Sequence, residues 1–147
     1  MPSPQLDALG IFTTDLARSL AFYRLLGLDI PTGVENERHV ECTLANGLRL
    51  MWDTDPDAAT NAPGASPSAG SGIAMAFLCD SPAQVDATYS AVTAAGFTGH
   101  LDPWDAFWGQ RYATLHDPDG NTVDLFAPLA MLASGELTQW FDVRTPA

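Results

Sequence analysis

Two stretches of this chain follow the same order of residue types. Leu6 to Ile30 (LDALGIFTTDLARSLAFYRLLGLDI) reads as an apolar strand, an Asp-opened helix and a Gly stop, and Ile73 to His100 (IAMAFLCDSPAQVDATYSAVTAAGFTGH) repeats it. The apolar runs end in Asp15 and Asp80. Helical spacing then puts Leu16, Leu20 and Tyr23, or Val85, Tyr89 and Val92, on one face before Gly27 or Gly96 ends the helix. A unit this small cannot bury its apolar face alone. Two copies must pack together, and the concave surfaces they create are where a ligand would sit.

The chain has 147 residues, 46% of them hydrophobic, enough for one core but hardly for two independent domains. A single domain, 1–147, built from two structural repeats is the economical reading. Eighteen acidic residues against six Lys plus Arg give a formal net charge of −12, which argues against nucleic acid or an anionic membrane as partner. A neutral or cationic small molecule suits that charge; so does plain solubility. No stretch approaches the roughly 20 apolar residues of a membrane span, and MPSPQLDALG lacks the basic start and apolar middle of a secretory signal, so the expected location is cytoplasmic. Cys42 and Cys79 stand outside any CxxC or Cys/His metal spacing and read as small buried hydrophobes.

The first module is assigned to 6–52, a linker to 53–72, the second module to 73–128 and a tail to 129–147. After the first helix come a polar turn, Glu35 to Arg38, and strands His39 to Leu44 and Leu48 to Trp52, joined at Ala45-Asn46-Gly47, a strong hairpin signal. Asp, Ala, Pro, Gly and Ser dominate the linker. In the second module a short strand near Thr98 to Leu101 leads into an aromatic loop, Pro103 to Gly109. Strands Gln110 to His116 and Thr122 to Phe126 then flank the turn DPDGN. The tail is expected to hold a short helix and an appendage with Trp140 and Phe141. Each half thus runs strand, helix, three strands, an α+β class of paired βαβββ modules.

Strand alternation assigns directions to the side chains. Val40, Cys42 and Leu44 should face the helix, leaving His39, Glu41 and Thr43 on the concave side. Val123 and Leu125 go under the helix, while Thr122, Asp124 and Phe126 face the cavity. The run Trp104-Asp105-Ala106-Phe107-Trp108 is the strongest ligand signal, because two tryptophans in a loop are hard to explain as ordinary core. Stacked on a flat chromophore they would add about 0.5–1.5 kcal/mol per ring pair beyond burial; a dimer contact or a loop-capping cluster is the competing reading. Tyr112 lies on the cavity parity with Thr114 and His116. Arg111 reads as a sheet-edge or dimer contact, Arg49 shares a face with Met51 and could reach the cavity, and Trp52 reads as core. Asp124 and Glu41 could pair with a ligand amine or hydroxyl, or serve structural hydrogen bonds. His39 on residue type alone is as readily structural as functional. No GxSxG elbow, Cys–His arrangement or Gly-rich phosphate loop is present.

The LARSLAFYRLLGL segment, the terminal WGQRYATLHDPDGNTVDLFAP and the two-unit layout resemble the vicinal oxygen chelate family, which includes glyoxalase I, extradiol dioxygenases, fosfomycin-modifying enzymes and bleomycin resistance proteins. The resemblance spans Leu6 to Pro128 and implies paired βαβββ modules, usually as a homodimer. The divalent-metal ligands of catalytic members would fall at Ala8, Met51, Ala74 and Asp124, of which only the last can ligate. A shift of one residue offers only Asp7 or Leu9 and Leu50 or Trp52, so it does not restore the set. The resemblance therefore implies no metal, no cofactor and the non-catalytic, drug-binding branch. HVECTLANGLRLMWDT and GHLDPWDAFWGQRYATLHDPDGNTVDLFAPL look like the mitomycin-binding type of resistance protein, in which His39 and Trp108 would sandwich a planar quinone.

The expected function is sequestration of a planar aromatic natural product by a protein that is not an enzyme. The ligand-binding residues would be His39, Glu41, Trp104, Phe107, Trp108, Tyr112 and Asp124. The alternative is a metal-independent isomerase, lyase or cyclase with Asp124 or Glu41 as general base.

Overall fold

Caps and turns fix where each element starts and stops. The protein's structure, a computed structural model, describes residues 3–54 and 72–129. It comprises two compact units, Met1–Ala69 and Gly70–Ala147. The body of the linker and the tail with Trp140 and Phe141 lie outside the described residues.

In the first unit, strand β1 (Ala8–Phe12) leads into helix α1 (Leu16–Leu25), followed by β2 (His39–Thr43) and β3 (Arg49–Asp53). The Asp15 carboxylate caps α1 by accepting from the Arg18 N–H. Gly27, at φ 94°, ends it: the Gly27 N–H donates to the Arg24 carbonyl and the Leu28 N–H to the Tyr23 carbonyl. Leu20, Phe22 and Tyr23 are fully buried, and the Tyr23 ring meets Trp52 edge-on at 5.5 Å, tying the helix to β3. The sheet order is β1-β3-β2, with β1 parallel and β2 antiparallel to β3.

The second unit repeats the plan. Strand β4 (Ala74–Leu78), helix α2 (Pro82–Ala94), β5 (Thr98–Ala106), β6 (Gln110–His116) and β7 (Thr122–Pro128) form a sheet of order β4-β7-β6-β5. Again the first strand pairs in parallel with the last. The duplication extends to the helix ends. At Gly96, φ 94°, the Gly96 N–H reaches the Thr93 carbonyl and the Phe97 N–H the Val92 carbonyl, the same pair of bonds as at Gly27. Val85 and Val92 of α2 are buried, as are Ala113, Leu115, Val123 and Leu125 of β6 and β7, strands on which the helix packs.

Four expectations are corrected. The first unit is βαββ among its described residues, not βαβββ. Its segment between α1 and β2 contains Pro31, which lacks a ladder donor, and Gly33 at φ 75°, and forms no strand. Ser81, not Asp80, caps α2: its hydroxyl accepts from the Gln84 N–H, while the Gln84 side-chain carbonyl reaches back to the Asp80 N–H. Asp53 belongs to β3 rather than to the linker.

The fourth concerns the aromatic segment. Strand β5 runs through Pro103 and Trp104 to Ala106, leaving only Phe107 to Gly109 as a turn. A proline is tolerated there because β5 is an edge strand and its register breaks between Leu101 and Trp104. Both cysteines are free and buried. Among the described residues no helix is long and apolar enough to cross a membrane.

Candidate functional site

Each sheet has one face under its helix and one face turned away from it, and pairing register states which side chains share the open face. In the second unit Arg111 shows the polarity. Its guanidinium donates to Asp86 on α2 at 2.9 Å and to Asp105 on β5 at 3.1 Å, so odd-numbered residues of β6 look toward the helix. Arg111 thus ties helix to sheet, and because β6 lies between β7 and β5 it is not on a sheet edge.

The opposite parity builds the open face in rows across the strands. One row is Leu78, Phe126, Tyr112 and Trp104; the next is Ala76, Asp124, Thr114 and Leu101; a third is Ala74, Thr122, His116 and Thr98. Trp108 folds back from the β5–β6 turn onto this surface. Its ring is edge-on to Trp104 at 5.5 Å, to Phe107 at 4.9 Å and to Tyr112 at 5.4 Å. Five of the sequence-derived residues, Trp104, Phe107, Trp108, Tyr112 and Asp124, therefore stand together in one unit.

Polar ends inside this cluster are satisfied from within. The Tyr112 hydroxyl donates to Asp124 Oδ2 at 2.5 Å and the buried Thr114 hydroxyl to Oδ1 at 2.8 Å, so each carboxylate oxygen holds one hydroxyl. Burial first, then the Asp124 carboxylate, pushes the Tyr112 hydroxyl well above the ordinary phenol range. The indole N–H of Trp108 donates to the Gln110 side-chain carbonyl at 2.8 Å. What the surface leaves exposed is aromatic, with Trp104 37% and Phe107 84% exposed.

His39 and Glu41 belong to the first unit, on the open face of its sheet, where Phe12, Asp53 and His39 form one row and Gly10, Met51 and Glu41 another. His39 Nδ1 lies 2.7 Å from Asp53 and Nε2 lies 3.0 Å from Glu41. A neutral imidazole has one N–H, so two carboxylate partners favour the imidazolium; the bond to Asp53 first, then that to Glu41, raises the His39 pKa above its ordinary value. Glu41 is held below the usual carboxylate range by His39 and by Arg49, whose Nη1 lies 3.1 Å from it. Arg49 continues to Asp7 at 2.8 Å. The row of alternating charge Asp53, His39, Glu41, Arg49, Asp7 occupies both nitrogens of the imidazole.

Sequence reasoning missed Asp53, Thr114 and Gln110 as partners of site residues. Asp53 was legible as the next step of the alternation after Trp52, and Thr114 as a parity neighbour of Tyr112. Nothing local marks Gln110.

At the positions where the family resemblance would place the ligands of a divalent metal, the residues present do not fit one. Ala8, Met51 and Ala74 carry alkyl or thioether side chains, and both Asp124 oxygens already accept hydroxyls. A one-residue slip brings no donor set: Leu50 and Trp52 are fully buried, and Asp7 is paired with Arg49.

A model of the glyoxalase/bleomycin resistance protein/dioxygenase superfamily matches residues 5–125. Among solved structures, a glyoxalase/bleomycin resistance protein/dioxygenase family enzyme from Burkholderia phytofirmans PsJN superposes with a TM-score of 0.74 at 20% identity, covering 86% of this chain and 100% of that one. A glyoxalase/bleomycin resistance protein from Albidiferax ferrireducens T118 gives 0.64 at 28% identity over 82% and 96% of the two chains. A glyoxalase/bleomycin resistance protein/dioxygenase from Nocardioides gives 0.67 at 24% over 93% and 91%. No functionally curated protein matches the chain. With a family match over most of its length, and the first strand paired in parallel with the last in both units, the chain belongs to the glyoxalase/bleomycin resistance protein/dioxygenase superfamily.

Proposed function

We propose that this protein binds a flat aromatic natural product and sequesters it, in the manner of the drug-binding, mitomycin-type members of its superfamily, without a metal or cofactor and as a homodimer. The observation that carries the reading is the state of the polar groups. Tyr112, Thr114 and Asp124 satisfy one another, Trp108 is held by Gln110, and His39 is held by Asp53 and Glu41. Such surfaces recognise a ligand by its π face, where stacking contributes about 0.5–1.5 kcal/mol per ring beyond burial.

A metal-independent isomerase, lyase or cyclase would need Asp124 or Glu41 as general base within reach of a substrate proton. Asp124 is engaged at both oxygens, and Glu41 is shared by His39 and Arg49, which supports binding over proton abstraction.

The test is incubation of the purified protein with a mitomycin-type quinone. Tryptophan fluorescence quenching and a raised melting temperature, with the compound recovered unchanged by chromatography, are the expected results. W108A should lose the quenching, and light scattering should give the mass of a dimer. A new product would replace the reading with catalysis; no response across a panel of planar aromatics would overturn it.

A further inference from the structure

The second unit holds a pair of side chains that the ligand-binding reading does not use. His100 on β5 and His116 on β6 stack with ring centroids 4.5 Å apart and planes inclined by 21°. His116 is fixed in register between Thr98 and Thr122, whereas His100 stands where the β5 register breaks, between Gly99 and Leu101. Among the described residues neither imidazole has a hydrogen-bond or ion-pair partner. We propose that His100 and His116 form a surface site for a divalent transition-metal ion, most favourably Cu2+, bound through one nitrogen of each ring with water completing the shell.

The inventory of nitrogen and sulfur donors supports this assignment. The chain has three histidines and two cysteines, and all five lie among the described residues. Cys42 and Cys79 are buried, and burial pushes both thiols up, away from the thiolate that a metal takes. His39 has a carboxylate on each nitrogen. That leaves His100 and His116 with lone pairs open to an ion.

Geometry and charge agree. Metal–nitrogen bonds of about 2.0–2.1 Å put two adjacent ligand nitrogens roughly 3 Å apart. In the stack the in-plane lone pairs lie side by side, so the exposed His100 turns out of it about its side-chain torsions to bring one nitrogen of each ring onto a shared ion, with the 4.5 Å ring separation setting the reach. The net charge of −12 raises the local concentration of cations. Imidazole selects borderline metals over Mg2+ and Ca2+, and affinity rises to Cu2+ along the first row. An ion bridging the two strands also pins edge strand β5 at its register break, which couples binding to stability.

The experiment uses tag-free, metal-stripped protein titrated with Cu2+ and, separately, Zn2+ and Mg2+ by calorimetry, with electron paramagnetic resonance of the Cu2+ form. The expected result is one Cu2+ per chain with two nitrogen ligands, weaker Zn2+ binding and no Mg2+ binding. H100Q and H116Q should each weaken Cu2+ by at least about tenfold, and H39Q should leave it unchanged. Cu2+ should raise the melting temperature of the parent protein but not of H100Q, whose exposed position keeps that arm informative if H116Q folds poorly. Retention of Cu2+ affinity in H100Q, or its loss in H39Q, would overturn the assignment.

Discussion

Replacing Tyr112 by Phe removes one hydroxyl from the open face of the second sheet and keeps the ring that meets Trp108. The lost bond, 2.5 Å to Asp124, is charge-assisted, a class that contributes about 1.5–3 kcal/mol. Asp124 is only half-buried and keeps the Thr114 hydroxyl at 2.8 Å, so water can replace part of what is lost. Y112F should therefore cost about 1–1.5 kcal/mol, or roughly 3–6 °C in Tm for a chain of this size. T114V should cost about as much, and the double variant should depart from additivity, because both hydroxyls serve one carboxylate. The assay is urea denaturation, reading a lower midpoint at constant slope. A second signature is alkaline. With its pKa raised in the fold, Tyr112 contributes stability in full below the unfolded phenol value near 10, and that contribution disappears as pH rises through the raised value. Y112F should flatten this alkaline loss; Tyr89, whose hydroxyl is also raised by burial and by Asp102, contributes to what remains. An unchanged midpoint together with an unchanged alkaline limb would refute the Tyr112–Thr114–Asp124 cluster as described.

The remaining predictions are local. His39, raised by Asp53 and Glu41, should titrate above about 6.5 by NMR; its contribution to stability is present below that value and lost as pH rises through the raised one, and H39Q should abolish the small pH dependence. G99A should displace Tyr89, because a Cβ there would lie 2.1 Å from the Tyr89 hydroxyl oxygen; breaking its bond to Asp102 should cost about 1–2 kcal/mol, read as a lower urea midpoint. D15A and S81A should each cost about 1 kcal/mol of stability by removing a helix cap. D80A should stay within about 0.5 kcal/mol, and a larger loss would return the cap to Asp80.

The open faces were legible because strand alternation has a period of two. Once His39 and Asp124 are placed on strands, their face is fixed by whether Val40 and Cys42, or Val123 and Leu125, are apolar, and those four are buried. The cap at Ser81 was obscured because Asp80 and Ser81 are both good capping residues in adjacent positions; only hydrogen-bond geometry decides between them. The strand at Trp104 is hidden in the sequence, since a proline such as Pro103 is normally confined to strand edges and bulges. Its edge position and register break are properties of the assembled sheet and leave no local mark.

By itself the sequence determined the duplication, the opening strand and helix of each copy and the two Gly stops, because these follow from short-range periodicity and residue chemistry. Tertiary structure decided the pairings: Tyr112 and Thr114 on Asp124, Asp53 and Glu41 on His39, Asp86 on Arg111, and the stack of His100 on His116. Most of these partners are separated by 10 to 25 positions in the chain and meet only through strand register and helix packing. A side chain's type fixes what it can bond, but the fold fixes which partner comes within 3 Å.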